Sequence, residues 1–250
     1  LYDGPQQGDD DAVAVAVDVA QDIYVLGNEG FFRDHRGNLY MRPCLLKYAP
    51  DGRRLWYRNV LELIEYGLSV GFINIARICP EDSGGIVFLA YGGSLSGSSP
   101  TCSIDANGQL RWRYVPTYEA AGLALSPHGE TVLTGYAGKL YALLLGTDGT
   151  QRWEARHAKP GAGAAAGRAV AHDPVAGLDV AAGLQEELAW GVTTLVTVAY
   201  EHATGRELWH QYYPGPVPGY HEATGVAVDG RGAVYVAGHS DNAQGGRDLL

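Results

Sequence analysis

Residues 1–27, LYDGPQQGDDDAVAVAVDVAQDIYVLG, lie over residues 212–238, YYPGPVPGYHEATGVAVDGRGAVYVAG, at an offset of 211 with no gap. The shared positions include Tyr2 and Tyr213, Gly4 and Gly215, Pro5 and Pro216, Gly8 and Gly219, Ala16 and Ala227, Val17 and Val228, Asp18 and Asp229, Tyr24 and Tyr235, and Gly27 and Gly238. Agreement over that length means the chain is assembled from copies of one supersecondary unit.

Four landmarks of one type lie between the two copies. They are YAPDGRRLW ending at Trp56, SIDANGQLRW at Trp112, LGTDGTQRW at Trp153 and YEHATGRELW at Trp209. Four units in 211 residues make about 53 residues each, close to the ~40–50 of a four-stranded propeller blade. Each unit reads as four strands. Small or β-branched runs (12–18, 224–229) suit a crowded inner strand. Bulkier runs (23–27, 86–92, 131–135, 234–238) form the second, and residues 44–50, 140–146 and 195–200 the third. A turn then supplies a glycine for a positive φ, and the tryptophan belongs to the fourth strand. The predicted fold class is an all-β β-propeller of four-stranded antiparallel blades. Its repeats are set at about 1–57, 58–114, 115–157, 158–211 and an incomplete 212–250.

Two stretches break the pattern. KPGAGAAAGRA (159–169) reads as a flexible inter-blade loop, and GLQEELAWGVTT (183–194) as an insertion between second and third strands. Residues 57–73 can hold a helical turn or an outer strand plus loop. The repeat phase also predicts an excerpt of a longer protein with a six- to eight-bladed ring. The alternative is a five-bladed ring closed by residues 1–4.

Composition narrows the function. The 250 residues carry a formal net charge of −10 and no Lys/Arg cluster, so nucleic acid and anionic membrane surfaces are poor partners. No apolar stretch approaches the ~18–20 residues of a transmembrane helix. Cys44, Cys79 and Cys102 are too few for a disulfide scaffold; Cys79 and Cys102 share a repeat and can be paired or remain buried thiols.

The turn at residues 199–209 resembles the tryptophan-docking motif of quinoprotein (PQQ-like) propellers. Glu201 stands at the acidic position in place of Asp, and the other three turns keep only the glycine and the tryptophan. The units around residues 2–27 and 221–248 are similar to the bacterial β-propeller repeats called SBBP repeats. This resemblance implies a secreted, periplasmic or cell-surface protein. In the docking motif the tryptophan stacks on a peptide of the neighbouring blade, so Trp56, Trp112, Trp153 and Trp209 are assigned to blade packing.

No constellation points to a reaction. An enzymatic quinoprotein would need PQQ, Ca²⁺, a catalytic Asp and usually a vicinal Cys pair, and no Cys-Cys dipeptide occurs. Asp9, Asp10 and Asp11, with Asp3 nearby, alternate faces on an extended chain and read as a solvated acidic loop, with no EF-hand pattern. The eight histidines show no HxH, HExxH or paired Cys/His spacing. His202, His210 and His221 are read as surface or turn residues, and no metal ligands are expected. No GxSxG elbow appears in residues 92–100. Asp18 and Asp229 recur with the repeat and read as turn caps.

The sequence therefore predicts a non-catalytic, exported propeller. It would be a binding or scaffold module, as an accessory subunit with protein partners, and would carry no cofactor. Residues that do not repeat are its candidate contacts: Phe31, Phe32, Arg33, Asp34 and His35 in one insertion, Trp190 in another, and Asp241, Asn242 and Arg247 in the last loop. The alternatives are a propeller enzyme (a PQQ-type dehydrogenase or a sugar-acting hydrolase or lyase) and a structural domain of a secreted adhesin.

Overall fold

The computed structural model describes residues 10–33, 39–64, 73–92, 100–229 and 231–250. The chain divides into two compact units, Leu1–Glu119 and Ala120–Leu250.

The first unit holds two antiparallel meanders. Strands β1 (Asp11–Val17), β2 (Ile23–Arg33), β3 (Leu39–Tyr48) and β4 (Arg54–Asn59) form one sheet in that order. A single helical turn, α1 (Val60–Ile64), follows. Then β5 (Ile73–Pro80), β6 (Ile86–Gly92), β7 (Thr101–Ile104) and β8 (Leu110–Tyr114) form the other. The middle strands read as unbroken apolar runs because both faces are covered: residues 86–90 and 101–104 are all buried. Tyr24, Leu26, Leu45, Phe88 and Ile104 pack with Val60, Leu63 and Ile64 of α1 in one core.

The second unit continues the pattern. β9 (Glu119–Leu125), β10 (Thr131–Tyr136), β11 (Leu140–Leu145) and β12 (Gln151–His157) form a third meander. β13 (Ala165–Asp173), β14 (Leu178–Glu186), β15 (Thr193–Glu201) and β16 (Glu207–Tyr213) form a fourth. One bridge, Tyr136 to Ala166, links β10 to β13. β17 (His221–Val228), β18 (Val234–Asp241) and β19 (Arg247–Leu249) make a three-stranded sheet. A four-stranded antiparallel meander is the blade of a propeller.

The repeat positions have local causes. Inner strands β1, β13 and β17 each carry a bulge, between Ala12 and Ala14, Gly167 and Ala169, and Ala223 and Gly225. The bulge presses a backbone carbonyl onto the second strand. A methyl group on Gly27, Gly183 or Gly238 would run into the carbonyl oxygen of Asp11, Ala166 or Glu222 respectively, so only glycine fits. Asp18 accepts from the Asp22 amide at 2.9 Å, and Asp229 from the Arg231 and Ala233 amides at 2.8 and 2.9 Å. These are the turn caps anticipated from their recurrence. Tyr24 and Tyr235 donate their hydroxyls to the other oxygens of the same two aspartates.

Several expectations are corrected. Of residues 159–169, Ala165 onward are strand, because alanine and glycine are what the crowded inner position of β13 admits: Ala165 is fully buried and a methyl on Gly167 would strike Thr134. The 183–194 insertion shrinks to residues 187–192, since β14 and β15 pair from Glu186 and Thr193 downward. Asp10 and Asp11 are tied to β2 rather than simply solvated: they accept from the amides of Gly30 and Asn28. Asp3 and Asp9 lie outside the described residues. Cys79 pairs across from Val87 on one side of β6, and Cys102 from Phe88 on the other. A whole strand separates them, roughly twice the ~4.8 Å strand spacing, beyond disulfide reach. None of the three thiols is in a disulfide, and burial pushes them up to about 12, 11 and 12 for Cys44, Cys79 and Cys102.

Candidate functional site

The loop 214–220 between β16 and β17 is pinned from below by His221. This histidine, expected at the surface, is fully buried. Its Nε2–H donates to the Val217 carbonyl and its Nδ1 accepts from Ser240, each at 2.9 Å. A methyl on Gly215 would enter the imidazole ring, so the loop lies flat on it. With Pro214, Pro216 and Pro218 fixing their φ angles, the loop is a stiff ridge with a cleft on each side.

The first cleft, about 530 Å³, is walled by Lys159, Glu187, Thr194, Tyr212 and the ridge. Lys159 Nζ lies 2.8 Å from Glu187 and 5.5 Å from the centre of the Tyr212 ring. Thr194 donates its hydroxyl to the same Glu187 oxygen at 2.7 Å. Lys159 and Thr194 hold the Glu187 carboxyl below the usual range, while burial pushes Tyr212 up. The loop 187–192 forms one lip through Glu187 and Val192. Its outer residues are bare: Trp190 is fully exposed and Leu188 is 83% exposed.

The second cleft, about 560 Å³, is lined by Val217, Pro218, Asp241, Asn242, Gly245, Gly246 and Arg247. Asp241, Asn242 and Arg247 thus come together as sequence suggested, but much of their polarity is spent locally. Asp241 accepts from the Tyr220 amide and Arg247, Asn242 accepts from the Gln244 and Gly246 amides, and Arg247 stacks on Tyr220. Phe31, Phe32 and Arg33 end β2, paired with Met41, Tyr40 and Leu39. Asp34 and His35 lie outside the described residues.

Two histidine clusters had no signature in sequence. In one, the fully buried Asp179 accepts from His172 Nδ1 and His202 Nδ1, both at 2.8 Å, and His202 Nε2 donates to Glu130 at 2.9 Å. With both nitrogens donating, His202 is an imidazolium; the bond to Asp179, aided by Glu130 and opposed by burial, raises it to about 9. In the other, Glu207 accepts from His157 Nδ1 at 2.9 Å and His210 Nδ1 at 2.7 Å, while Tyr212 donates to His157 Nε2 at 2.7 Å. Burial opposes ionisation of Glu207, yet the two histidines hold its carboxyl below the usual range. Both trios have ligand atoms within 4.8 Å of one another. His157 and Glu207 stand 50 residues apart, one blade, as do Arg58 and Gly108 in the first unit. That offset, rather than any short motif, is the signal for such pairs.

The four tryptophans that sequence assigned to blade packing differ in what they touch. Trp56 Nε1 donates to the Ala106 carbonyl at 2.8 Å and Trp153 Nε1 to the His202 carbonyl at 2.7 Å, each in the third-to-fourth-strand turn of the following blade. Trp112 and Trp209 stand partly buried in β8 and β16, opposite Ser103 and Ala199.

Solved structures share this arrangement. The chain is similar to the Dos1 propeller (10% identity, 94% of this chain and 68% of that one, TM-score 0.56). It is also similar to a Dyadobacter fermentans protein of unknown function (11%, 100% and 80%, 0.56) and to a glucose dehydrogenase (11%, 97% and 82%, 0.54). The fold is a β-propeller. No protein-family model and no curated protein matches the sequence. Among the described residues no helix is long and apolar enough to cross a membrane.

Proposed function

We propose that this propeller is a non-catalytic binding module of the SBBP-repeat kind, exported and serving as an accessory or scaffold subunit that grips a protein partner. The observation that carries this is the loop 187–192. It holds Trp190 fully exposed and Leu188 nearly so, at the lip of a cleft with a stiff proline ridge. An exposed tryptophan beside a preformed cleft is the usual chemistry of an interface anchor. The carboxylates nearby favour binding over acid–base chemistry. A general acid or base works with a pKa drawn toward neutrality, whereas Glu187 and Glu207 are both drawn down by fixed partners. The exported location rests on the resemblance of the repeats.

Affinity capture from the native source tests this. The wild-type chain is expected to retain a stoichiometric protein partner, and a Leu188→Ser, Trp190→Ser double variant to lose it. Recovery of the wild-type chain alone would overturn the reading, as would dye reduction on adding PQQ and Ca²⁺.

A further inference from the structure

We propose that His157, Glu207 and His210 form a binding site for a divalent transition-metal ion of the zinc class, joining the outer strands β12 and β16 of adjacent blades. The donor set is two imidazole nitrogens and one carboxylate, which suits zinc and its neighbours; calcium and magnesium take oxygen ligands. The geometry is close to what such an ion needs. Metal–ligand bonds of ~2.0–2.2 Å place tetrahedral donors roughly 3.3–3.5 Å apart. Here His157 Nδ1 and His210 Nδ1 already lie 2.9 and 2.7 Å from the two oxygens of Glu207, and all three donors fall within 4.8 Å. Small outward shifts, with loss of the two Nδ1 protons, would open room for an ion.

The surroundings support the same reading. His157 Nε2 is 2.7 Å from the Tyr212 hydroxyl. When the ion displaces the Nδ1 proton, His157 takes the Nε2–H tautomer and the Tyr212 hydroxyl, the donor in the metal-free protein, turns to accept from it, as outer partners of zinc-bound histidines do. The chain places these groups together by local structure. The ladder between β15 and β16 shifts register at Ala199/Tyr200, opposite Trp209 and Glu207, with Leu208 as the extra residue. This brings Glu207 and His210, three residues apart, to the same side. His157 is 6% exposed, but His210 and Glu207 are 45% and 34% exposed, so an ion has an entry path and a fourth position for water. The cluster around Asp179 lacks these properties. Its carboxylate is fully buried, and His202 donates from both nitrogens to carboxylates, an internal ion network already satisfied.

The test uses untagged, chelator-treated protein and zinc chloride alone. Calorimetric titration is expected to show one ion per chain and the melting temperature to rise by several degrees. His210→Ala and Glu207→Gln should each weaken binding at least tenfold. Cobalt(II) should give the visible absorption of a tetrahedral site, lost in His210→Ala. His172→Asn, in the other cluster, should change neither. Absence of one-to-one zinc binding by the wild-type chain would overturn the proposal. So would binding that survives His210→Ala and Glu207→Gln, or that is abolished by His172→Asn.

Discussion

The indole Nε1–H of Trp153 donates to the carbonyl oxygen of His202, 2.7 Å away and 49 residues later in the chain. The same step is taken in the first unit by Trp56, whose Nε1–H meets the Ala106 carbonyl 50 residues on. In each case a fourth-strand side chain closes over the third-to-fourth-strand turn of the next blade. Arg58 repeats the gesture from two residues past Trp56, reaching the carbonyls of Gly108 and Asn107. A propeller blade cannot bury its face alone, so these contacts at one-blade offset are where blade joins blade.

Removing the donor while keeping an aromatic ring isolates its contribution. Trp153→Phe leaves the His202 carbonyl without its indole partner and should cost about 1–2 kcal/mol, read as a lower denaturant midpoint at unchanged slope. Gly205→Ala should cost more. Gly205 sits at φ +71°, and the added methyl would lie 2.6 Å from the Trp153 ring. Wild-type midpoints in both variants would show that this contact is incidental.

Stability should fall from pH 6.5 toward pH 9. His202 is raised from 6.5 to about 9, first by its bond to Asp179, then by Glu130 against burial. A group whose folded pKa lies above its unfolded one binds its proton more tightly when folded. Its contribution is complete below 6.5 and disappears as pH climbs through 9. His202→Gln should flatten that part of the profile. Asp179→Asn should destabilise by roughly 3–5 kcal/mol, since it removes the buried carboxylate to which both His172 and His202 donate and leaves only Glu130 beside the imidazolium. A wild-type stability curve that is level between pH 6.5 and 9 would refute the assignment.

The fold was legible because its determinants repeat. The Gly27/Gly238 match marks the bulge contact, the Asp18/Asp229 match the turn cap, and the Tyr24/Tyr235 match the hydroxyl that braces it. The site was only partly legible. Trp190, Asp241, Asn242 and Arg247 stood out by not repeating, and they border the two clefts or their lips. Lys159, Glu187 and Tyr212 were missed because each looks ordinary where it stands; the loop on His221 is what assembles the cleft. The histidine clusters were missed for a related reason. His157 and Glu207 meet by blade-to-blade stacking, 50 residues apart, while Asp179 gathers His172 and His202 from a neighbouring strand and a turn of its own blade, 7 and 23 residues away; short-range spacing rules register neither arrangement. Residues 159–169 misled in the opposite direction, since alanine and glycine serve a crowded inner strand as readily as a flexible loop.

Trp190 should report as an isolated, water-exposed fluorophore. It is fully exposed, whereas Trp56, Trp112, Trp153 and Trp209 are all partly buried. Iodide should quench one red-shifted component of the emission, and Trp190→Phe should remove that component. Trp190→Ser should leave stability within about 0.5 kcal/mol of wild type, because no packing is lost. A loss of several kcal/mol would mean that the side chain packs against the protein in solution, and the exposed anchor would then have to be sought elsewhere.

Gln21 offers a gain in stability. It sits at φ 65°, the one non-glycine residue in the left-handed region among the described residues. Its amide closes the first-to-second-strand turn onto the Asp18 carbonyl at 2.9 Å. In the turns that follow β9 and β17, Gly129 and Gly232 make the same bond to Ser126 and Asp229 at φ +81° and +84°. A side chain in this conformation costs about 1–2 kcal/mol, offset in part by the greater freedom glycine loses on folding, about 0.5–1 kcal/mol. Gln21→Gly should therefore stabilise the fold by roughly 0.5–1 kcal/mol, with the turn bond to Asp18 retained. Chemical denaturation of the paired proteins decides it: a lower midpoint for the glycine variant would mean that the Gln21 side chain supplies contacts worth more than the strain it carries.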